Sequence, residues 1–463
     1  MIVSTRATRT RARLPTPPMV RGLPILGSLL EFRRDHIAIF ERGYREYGPV
    51  FAVRLGPQRG VVLVGPEYHR FYFDEVDLRL SVPELYRFVV PMFGEVLLAV
   101  PDEGIRRRQV ALMQSAFQGR RLERYALTMV DEARVWRERF GSGGTFELWD
   151  EVESLTINVA AAALLGPEVR ARVDAFRPLL SDLARGMEFV LPPNLPLPRF
   201  RRRDQARKAL TNIIRPILAA RRERPGGSPD FLQALVDDSS LTGSDSDETL
   251  VGMALCTIFT GYITTAATAA WTLVLLLQHP EYLERVVAEL DQQRAAVPAN
   301  AFPAHAQLPQ VERAIKEAVR LRPVMSHYAR WNAEEYELHG YRIPKGWLTM
   351  LCPAVAHRLP QVFADPDRYD PDRFGPGRAE DRKPHALIGF GGGFYGCPGS
   401  AFGTTEIKLV LALLLDRFTL DLLDRDPPPA FDLGVMRPAS PCRVRYAARN
   451  VSKTGEETRA HAP

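Results

Sequence analysis

The sequence predicts a mainly α-helical protein with a small β region, folded as a single domain. Apolar residues recur at helical spacing over residues 105–140, 150–165, 170–190 and 202–224. One segment of 28 residues, Leu250–Leu277, contains no charged residue and is long enough for a helix of about 42 Å through the centre of a large protein. Short strand-like patterns occupy few places. Because no repeat or Gly/Ser-rich linker divides the chain, we expect one domain over residues 19–447.

The N-terminal part begins with a segment, residues 1–18, that is rich in Arg, Thr and Pro and lacks an apolar run. We expect a disordered leader there, and neither a signal peptide nor a membrane anchor. The β region opens with a hairpin in which residues 49–55 and 61–65 flank a Gly-bounded turn. Helices then dominate to residue 224, interrupted by the proline-rich connector 192–198.

The charge-free segment has the length of a membrane span. Its middle, however, carries threonines whose hydroxyl groups need partners that lipid does not offer. These threonines are Thr257, Thr260, Thr264, Thr265, Thr268 and Thr272. We therefore expect a buried helix in the core of a soluble protein.

The C-terminal part starts with a predicted helix over 310–321, which Pro323 ends. Short strands are expected within 336–343 and 348–351, followed by an irregular Pro/Asp-rich stretch up to residue 382. A last helix follows Cys397, and residues 448–463 are expected to form a disordered tail.

Composition narrows the class of protein. Of 463 residues, 46% are hydrophobic and 25% charged, which is typical of a soluble globular protein and excludes wholesale disorder. The net charge of +6 over 61 basic and 55 acidic residues is too dilute to indicate nucleic acid. The bias toward arginine over lysine, with 38 prolines, is typical of a GC-rich bacterial genome.

Cysteine usage indicates the compartment. Four cysteines, Cys256, Cys352, Cys397 and Cys442, are too far apart for a disulfide scaffold or a CxxC zinc site. We expect a cytoplasmic protein.

The sharpest local signal is the Gly-rich segment Phe390–Gly399, which contains Cys397 and leads into the apolar helix 401–415. A cysteine ahead of a helix N-terminus lies where backbone N–H groups favour a thiolate. Glycines such as Gly391 and Gly399 let the backbone approach a flat, bulky group, and Phe390 could cover the sulfur. These features suit a haem iron held by a cysteine thiolate. A buried free cysteine in a Gly-rich turn would show the same pattern.

A second signal is the pair Glu317 and Arg320, which share one helix face at i and i+3. Such pairs are common at surfaces and worth little on their own. Arg373, in the segment Pro371–Phe374, could complete a charge-assisted cluster.

Together, these three segments resemble the cytochrome P450 family of haem-thiolate monooxygenases. The family signature is F-x-x-G-x-R/H-x-C-x-G, preceded by E-x-x-R and by a P-E-R-F-like segment, and the resemblance covers residues 15–447. Further segments are similar to the sterol 14-demethylase branch: Tyr86–Phe88, Pro91–Glu95, Phe117–Arg121, Leu195–Pro198, Pro353–Val355 and His357–Arg358.

The resemblance implies the triangular cytochrome P450 fold and haem b as cofactor, with Cys397 as the iron ligand. It implies that Glu317, Arg320 and Arg373 form the structural cluster behind that ligand.

By the same resemblance, Tyr86, Arg107 and Arg330 would bind the haem propionates, with Arg106 and Arg108 competing for the role of Arg107. Tyr395 replaces the family's usual Arg or His. A phenol could still donate one hydrogen bond to a propionate, or it could simply pack.

The central helix departs from the family at the position of its acid. The usual pattern is A/G-G-x-D/E-T, with His at the acid position in the sterol branch, whereas residues 260–265 read T-G-Y-I-T-T. Thr264 matches the alcohol that steadies iron-bound oxygen and its waters, but Ile263 cannot relay protons. Thr260, one turn earlier, could hold a compensating water. Threonines in a buried helix more often bond the carbonyl four residues before them.

Substrate contacts are expected from the loops that this fold aims at the distal haem face. Most are apolar or aromatic, which suits a lipophilic ligand. They are Phe88, Val90, Met92, Phe93, Phe259, Tyr262, Ile263, Ser326, His327 and Val435. Ser326 and His327, the polar pair, could form hydrogen bonds with one polar group of the substrate. Alternatively, His327 could bond a backbone carbonyl and touch no ligand.

We therefore predict a bacterial monooxygenase that inserts one oxygen atom from O₂ into a lipophilic small molecule, a terpenoid or a polyketide of specialised metabolism. Electrons would come from a ferredoxin and an NAD(P)H-dependent ferredoxin reductase, the ferredoxin docking near Lys408. We expect a monomer that binds no nucleic acid. Three alternatives stay open: radical cyclisation, coupling or rearrangement without oxygen insertion, given Ile263; sterol 14-demethylation; and a non-catalytic haem-binding sensor.

Overall fold

The structure is a computed structural model. It describes residues 14–449 apart from 189–191, 194, 225, 228–229, 239–245, 298–301, 304–305 and 433.

The α-helices occupy most of the described chain. They are Leu29–Tyr47 (α1), Pro66–Asp74 (α2), Pro83–Tyr86 (α3), Val90–Phe93 (α4), Glu103–Ala116 (α5), Arg120–Glu138 (α6), Leu148–Ala160 (α7), Pro167–Arg170 (α8), Val173–Arg185 (α9), Pro198–Arg222 (α10), Phe231–Asp237 (α11), Ser246–Gln278 (α12), Pro280–Ala296 (α13), Pro309–Leu321 (α14), Pro353–Ala356 (α15) and Ser400–Arg417 (α16). One turn of π-helix, Ala161–Leu165, extends α7.

The strands form small sheets at the sides of the helical body. They are Val50–Leu55 (β1), Gln58–Leu63 (β2), Leu80–Ser81 (β3), Gly143–Glu147 (β4), Tyr328–Asn332 (β5), Tyr336–Leu338 (β6), Tyr341–Ile343 (β7), Leu348–Leu351 (β8), Phe418–Leu422 (β9), Pro429–Asp432 (β10), Val435–Pro438 (β11) and Arg443–Ala448 (β12). The largest sheet has the order β1-β2-β8-β5-β3, a second has the order β4-β12-β9, and β10-β11 and β6-β7 are hairpins.

The central helix α12 runs through the main hydrophobic core. Its threonine hydroxyls donate to carbonyls one turn earlier: Thr260 to Cys256 at 2.7 Å, Thr264 to Thr260 at 2.7 Å, Thr268 to Thr264 at 2.9 Å and Thr272 to Thr268 at 2.7 Å. These bonds satisfy each hydroxyl within the helix and explain how so many threonines fit in an apolar core.

By length and composition, one helix among the described residues could cross a membrane. It is Asp247–Gln278, and 78% of its most apolar window is buried inside the protein. Core helices of soluble proteins meet the same criterion.

Two chain ends differ from expectation. Pro15 accepts a hydrogen bond from Arg342 N and Pro18 one from Ala52 N, so the last residues of the expected leader join the β region. At the other end, Ala448 belongs to β12 and Arg449 N donates to Arg417 O at 2.9 Å, which moves the start of the tail. The rest of the expected leader and tail, residues 1–13 and 450–463, lies outside the described residues.

Helix α1 was not predicted. Its backbone is non-helical at Asp35 (φ −157°, ψ 90°), so two helical segments meet there at a kink.

Candidate active site

The loop that carries Cys397 is closed on itself. Cys397 N donates to Phe390 O at 2.8 Å, and Gly396 N donates to Gly393 O at 3.1 Å. Gly391 and Gly393 have φ of 73° and 63°, a left-handed backbone that side chains disfavour. The Gly-rich pattern is therefore required by the turn itself.

The Cys397 thiol faces a cleft. Its side chain is accessible, yet burial raises the pKa of the thiol, with the N–H of Gly399 acting in the opposite direction. A group that is reachable but poorly hydrated lies in an internal cleft and not on the outer surface. A metal ion bound to the sulfur would remove the proton regardless of this shift.

One face of α12 is also accessible. Cys256, Thr260, Gly261 and Thr264 keep accessible surface, although the helix is buried on its other sides. Their spacing of four, five and eight residues from Cys256 places them on one helix face. Their accessibility is compatible with the predicted roles of Thr264 and Thr260, whereas Cys256 was not predicted.

The predicted substrate contacts divide into two groups. Phe88, Val90 and His327 keep part of their surface accessible. The other seven are each at most 7% exposed and pack against protein: Met92, Phe93, Phe259, Tyr262, Ile263, Ser326 and Val435.

Aromatic contacts explain part of that burial, because the Phe93 and Phe259 rings lie 5.5 Å apart and those of Phe259 and Tyr262 6.3 Å apart. The predicted substrate contacts stay a prediction, and the sequence could not separate accessible residues from buried ones among them. A ligand would reach the buried group only if side chains moved.

The polar pair near the site packs against α1. Ser326 Oγ is hydrogen-bonded to His36 Nε2, and the His327 ring lies 5.0 Å from the His36 ring. Burial lowers the pKa of His36 to about 4 and that of His327 to about 3, so both are neutral near pH 7. The sequence predicted either a ligand contact or a carbonyl partner for His327. It did not predict this contact with α1.

Strand β5 places two groups beside the Cys397 loop. Tyr328 OH donates to Ile388 O at 3.0 Å and to Gly389 O at 2.9 Å. Two residues along the same strand face, Arg330 is 6% exposed, and its guanidinium lies 5.2 Å from the Tyr72 ring and 6.0 Å from the Tyr86 ring.

Among the described residues, no carboxylate pairs with the buried guanidinium of Arg330. Its Nη1 donates to Ala329 O at 2.9 Å, but its Nε has no hydrogen-bond partner among the described residues. A buried unpaired cation is costly unless an anion meets it, so this position fits the carboxylate of a bound group.

Two expected propionate contacts have other partners. Arg107 donates to Glu103 at 2.8 Å and to Asp77 at 3.2 Å. The hydroxyl of Tyr395 donates to Asp77 at 2.6 Å and accepts from Arg106 Nε at 2.9 Å. Their polar atoms are thus committed to a carboxylate that the sequence did not reveal.

The predicted structural cluster is assembled at zero exposure. Arg320 donates twice to the Glu317 carboxylate, at 2.7 and 2.8 Å, and Arg373 lies 3.2 Å from it. Arg373 also donates to Glu380 at 2.9 Å. Through carbonyls of residues 357–368, these guanidiniums fix the irregular stretch that precedes the Cys397 loop.

These features meet the requirements of a haem-thiolate site: an accessible cysteine in a glycine loop, a helix face with free hydroxyl oxygens, and a buried unpaired arginine. Residues 17–446 match the family Cytochrome P450. The chain belongs to this family.

Similar proteins and solved structures agree with the assignment to the cytochrome P450 family. The chain is 33% identical to an obtusifoliol 14-alpha demethylase of Sorghum bicolor, which covers 97% of this chain and 94% of the relative. It is 34% identical to a sterol 14-demethylase of Arabidopsis thaliana (96% and 93%) and 33% identical to a sterol 14alpha-demethylase of Mycolicibacterium vanbaalenii (91% and 96%).

The fold is similar to that of retinoic-acid-bound cyanobacterial CYP120A1, with a TM-score of 0.83, 26% identity, and coverage of 94% of this chain and all of the other. The haem domain of cytochrome P450DA shares the fold at a TM-score of 0.82, with 22% identity and coverage of 94% and 98%.

As a cytochrome P450 monooxygenase, the protein uses a haem-thiolate cofactor that activates O₂, and the thiolate donates electron density that favours O–O cleavage. Cys397 would hold the iron and Arg330 would meet a haem carboxylate, with Tyr86 beside it.

Sequence reasoning missed three residues at the site. Tyr328 and Asp77 are single polar residues with no motif around them. The partners of Tyr328 lie 60 or 61 residues along the chain, and those of Asp77 lie 29 to 318 residues along it. Cys256 could have been found, because it lies one helical turn before Thr260.

Proposed function

We propose that this cytochrome P450 inserts one oxygen atom from O₂ into a lipophilic terpenoid or polyketide of bacterial specialised metabolism. The observation that carries the proposal is the accessible face of α12, which combines hydroxyl oxygens with apolar neighbours and no charge. Such a wall accepts a lipophilic ligand and still offers oxygen atoms that can hold water.

Thr264 would hold a water by accepting its hydrogen. Its own hydroxyl hydrogen is engaged by the Thr260 carbonyl at 2.7 Å, so the free valence of Oγ1 is its lone pairs. Thr260 is arranged in the same way on the Cys256 carbonyl. Because Ile263 is apolar and 2% exposed, protons must reach Thr264 through water and not through a neighbouring acid.

Sterol 14-demethylation is a second candidate. Its support is the identity of 33–34% to sterol 14-demethylases over more than nine-tenths of the chain. Four residues depart from that branch: Ile263 at the acid position, Ser326, His327 and Tyr395. A reaction without oxygen insertion is a third candidate that Ile263 leaves open.

We propose a ferredoxin and its NAD(P)H-dependent reductase as electron source, with docking beside the Cys397 loop. A groove there is lined by residues of α14, α16 and the loop, among them Val319, Phe390 and Thr404. Its lysines are paired, Lys408 with Glu312 at 3.0 Å and Lys316 with Asp381 at 2.6 Å, so apolar contact would contribute more than the basic patch expected from the sequence. We also propose that the enzyme is a cytoplasmic monomer.

Optical titration of the haem-loaded protein tests the substrate class. Obtusifoliol and fractions of the host's organic extract would be added separately, and displacement of iron-bound water would be followed as a shift of the haem absorption band. A shift with an extract fraction and none with obtusifoliol supports our proposal. A shift with obtusifoliol, followed by release of its 14-methyl carbon, supports sterol demethylation and contradicts it.

Isotope-labelled O₂ decides between oxygen insertion and rearrangement. Turnover of the ligand found by titration, with ferredoxin and reductase, should place one labelled oxygen atom in the product. A product without label would contradict oxygen insertion.

A further inference from the structure

A polar cluster lies against the Cys397 loop. It is formed by the buried side chains of Asp77 and Arg106 together with the more accessible Arg107 and Tyr395. Asp77 Oδ1 accepts from Arg106 Nη2 at 2.7 Å, and Asp77 Oδ2 accepts from Tyr395 OH at 2.6 Å and from Arg107 Nη2 at 3.2 Å. Arg106 Nε closes the triangle by donating to Tyr395 OH at 2.9 Å. We call this set the Asp77 cluster.

The hydrogen bonds of Arg106 contribute most to the stability of the Asp77 cluster. The side chains of Asp77 and Arg106 are 3% and 4% exposed, whereas that of Arg107 is 40% exposed. Arg106 Nη1 also donates to Val100 O at 2.6 Å, which leaves its guanidinium fully engaged. Charge-assisted hydrogen bonds are strong when water is excluded, and an exposed ion pair adds little.

The segment around Asp77 covers the outer side of the loop. A Cβ on Gly392 would lie 2.7 Å from the Phe73 ring, and one on Gly393 would lie 3.1 Å from Phe73 Cβ. The Cys397 loop therefore packs directly on the end of α2, and Asp77 holds the residue two positions before the cysteine. Asp77 itself has φ of 64°, a strained backbone for aspartate that the three donors offset.

Tyr395 is fixed as a donor. Its hydroxyl has one proton, and the acceptor for that proton is the Asp77 carboxylate, which also accepts hydrogen bonds from Arg106 and Arg107. That proton is directed at Asp77 Oδ2 and so is not available to a haem carboxylate.

We propose that Asp77 is a positioning residue for the thiolate loop: by holding Tyr395 and Arg106 it fixes the backbone that presents Cys397, and it leaves Arg330 as the cation that meets the haem carboxylate. Tyr395 thus anchors the protein side of the loop, where the family's usual basic residue would face the cofactor. The inference rests on the haem-thiolate cofactor and is independent of the substrate.

Two variants test the role of Asp77 in the haem-loaded protein. Asp77→Asn keeps the size and one acceptor but removes the charge, and Tyr395→Phe removes only the hydroxyl. The readout is the rate at which the ferrous–CO absorption band of the thiolate-bound haem converts to that of haem without thiolate, under mild denaturant. We expect each variant to convert about tenfold faster, the factor that corresponds to one lost charge-assisted hydrogen bond.

Asp74→Asn is the matched control. It removes the same charge three residues earlier, from an exposed pair with Arg70 at 3.3 Å, and should convert at the wild-type rate. The reduction potential of Asp77→Asn should also rise, because an anion near the thiolate is lost, while Tyr395→Phe leaves the charge in place.

The double variant separates positioning from general destabilisation. If Asp77 acts through Tyr395, Asp77→Asn with Tyr395→Phe converts much more slowly than the product of the two single effects predicts, since both substitutions weaken the bond between Asp77 and Tyr395. Two results would overturn the inference: wild-type conversion in both single variants, or lower thermal stability with an unchanged conversion rate and potential. Absence of the thiolate band in the wild-type protein would instead contradict the cofactor assignment.

Discussion

Replacing Glu317 with Gln removes one charge from the buried cluster and keeps its shape. Glu317 accepts two bonds from Arg320, one from Arg373 and one from Asp370 N at 2.8 Å. Arg373 retains Glu380, but Arg320 loses its carboxylate at zero exposure. Removing one partner of a buried ion pair costs about 3–5 kcal/mol. The entropy of unfolding is about 2.1 cal/mol/K per residue, so for 463 residues the free energy of unfolding changes by about 1 kcal/mol per degree near Tm. Tm should therefore fall by about 3–5 °C.

Thermal unfolding of the haem-loaded protein, followed by circular dichroism and by the haem band, measures this loss. Glu312→Gln is the matched control on the same helix, because its carboxylate is 48% exposed and, in the part of the chain that the structure describes, forms an ion pair with Lys408 alone. We expect the control to stay within about 1 °C of wild type. A Glu317→Gln protein as stable as the control would refute the view that this cluster anchors the segment before Cys397.

Four further predictions follow from particular side chains. Thr264→Ala should lower the amount of product formed per NAD(P)H consumed by about tenfold, which is less than the contribution of a full general acid. The control is Thr272→Ala, a buried threonine of the same helix, which should keep the wild-type ratio. Arg330→Met should reduce the haem bound per chain, measured by the haem-to-protein absorbance ratio, without lowering the Tm of the haem-free chain, since it removes an unpaired buried charge.

Glu406→Met should raise the free energy of unfolding at pH 8 by about 1–3 kcal/mol, and the gain should shrink toward pH 5. Burial raises the pKa of this carboxyl, which has no hydrogen-bond partner among the described residues, so wild-type stability falls as pH rises above the ordinary pKa of the group. His36→Phe should flatten the fall of Tm between about pH 6.5 and 4, where the unfolded chain takes up a proton that the fold, with the His36 pKa lowered to about 4, excludes.

Local sequence patterns were sufficient to predict features that depend on residues close together in the chain. The helices with clear apolar periodicity, the buried central helix and the Gly-rich turn at Cys397 all follow from contacts within a few residues, such as the bond from Cys397 N to Phe390 O. The Glu317–Arg320 pair was recognisable for the same reason. The family resemblance then supplied Arg373, 56 residues from Glu317.

Contacts between side chains far apart in the sequence could not be predicted from local patterns. Asp77 meets Tyr395 over 318 positions, and nothing in the residues around Asp77 marks it as a partner. The sequence did not reveal the partners of Arg107, Glu103 and Asp77, for a related reason: neighbouring arginines on α5 differ only in the direction they face. Arg106 points inward and is 3% exposed, whereas Arg107 lies over the Phe394 ring at 4.8 Å.

The substrate side shows a third limit. Sequence placed Met92, Tyr262 and Val435 near the cleft, but a difference of one position on a helix or strand separates a lining residue from one behind it. The accessible face of α12 was fixed by packing, which no pattern of six residues could determine.

The ferrous–CO absorption spectrum of the purified protein tests the central claim, a haem held by Cys397, most directly. Wild type and Cys352→Ser, in which a different buried cysteine is removed, should both show the band of thiolate-bound haem. Cys397→Ser should lack it. A thiolate band that survives in Cys397→Ser, or that is missing from the wild-type protein, would contradict the account.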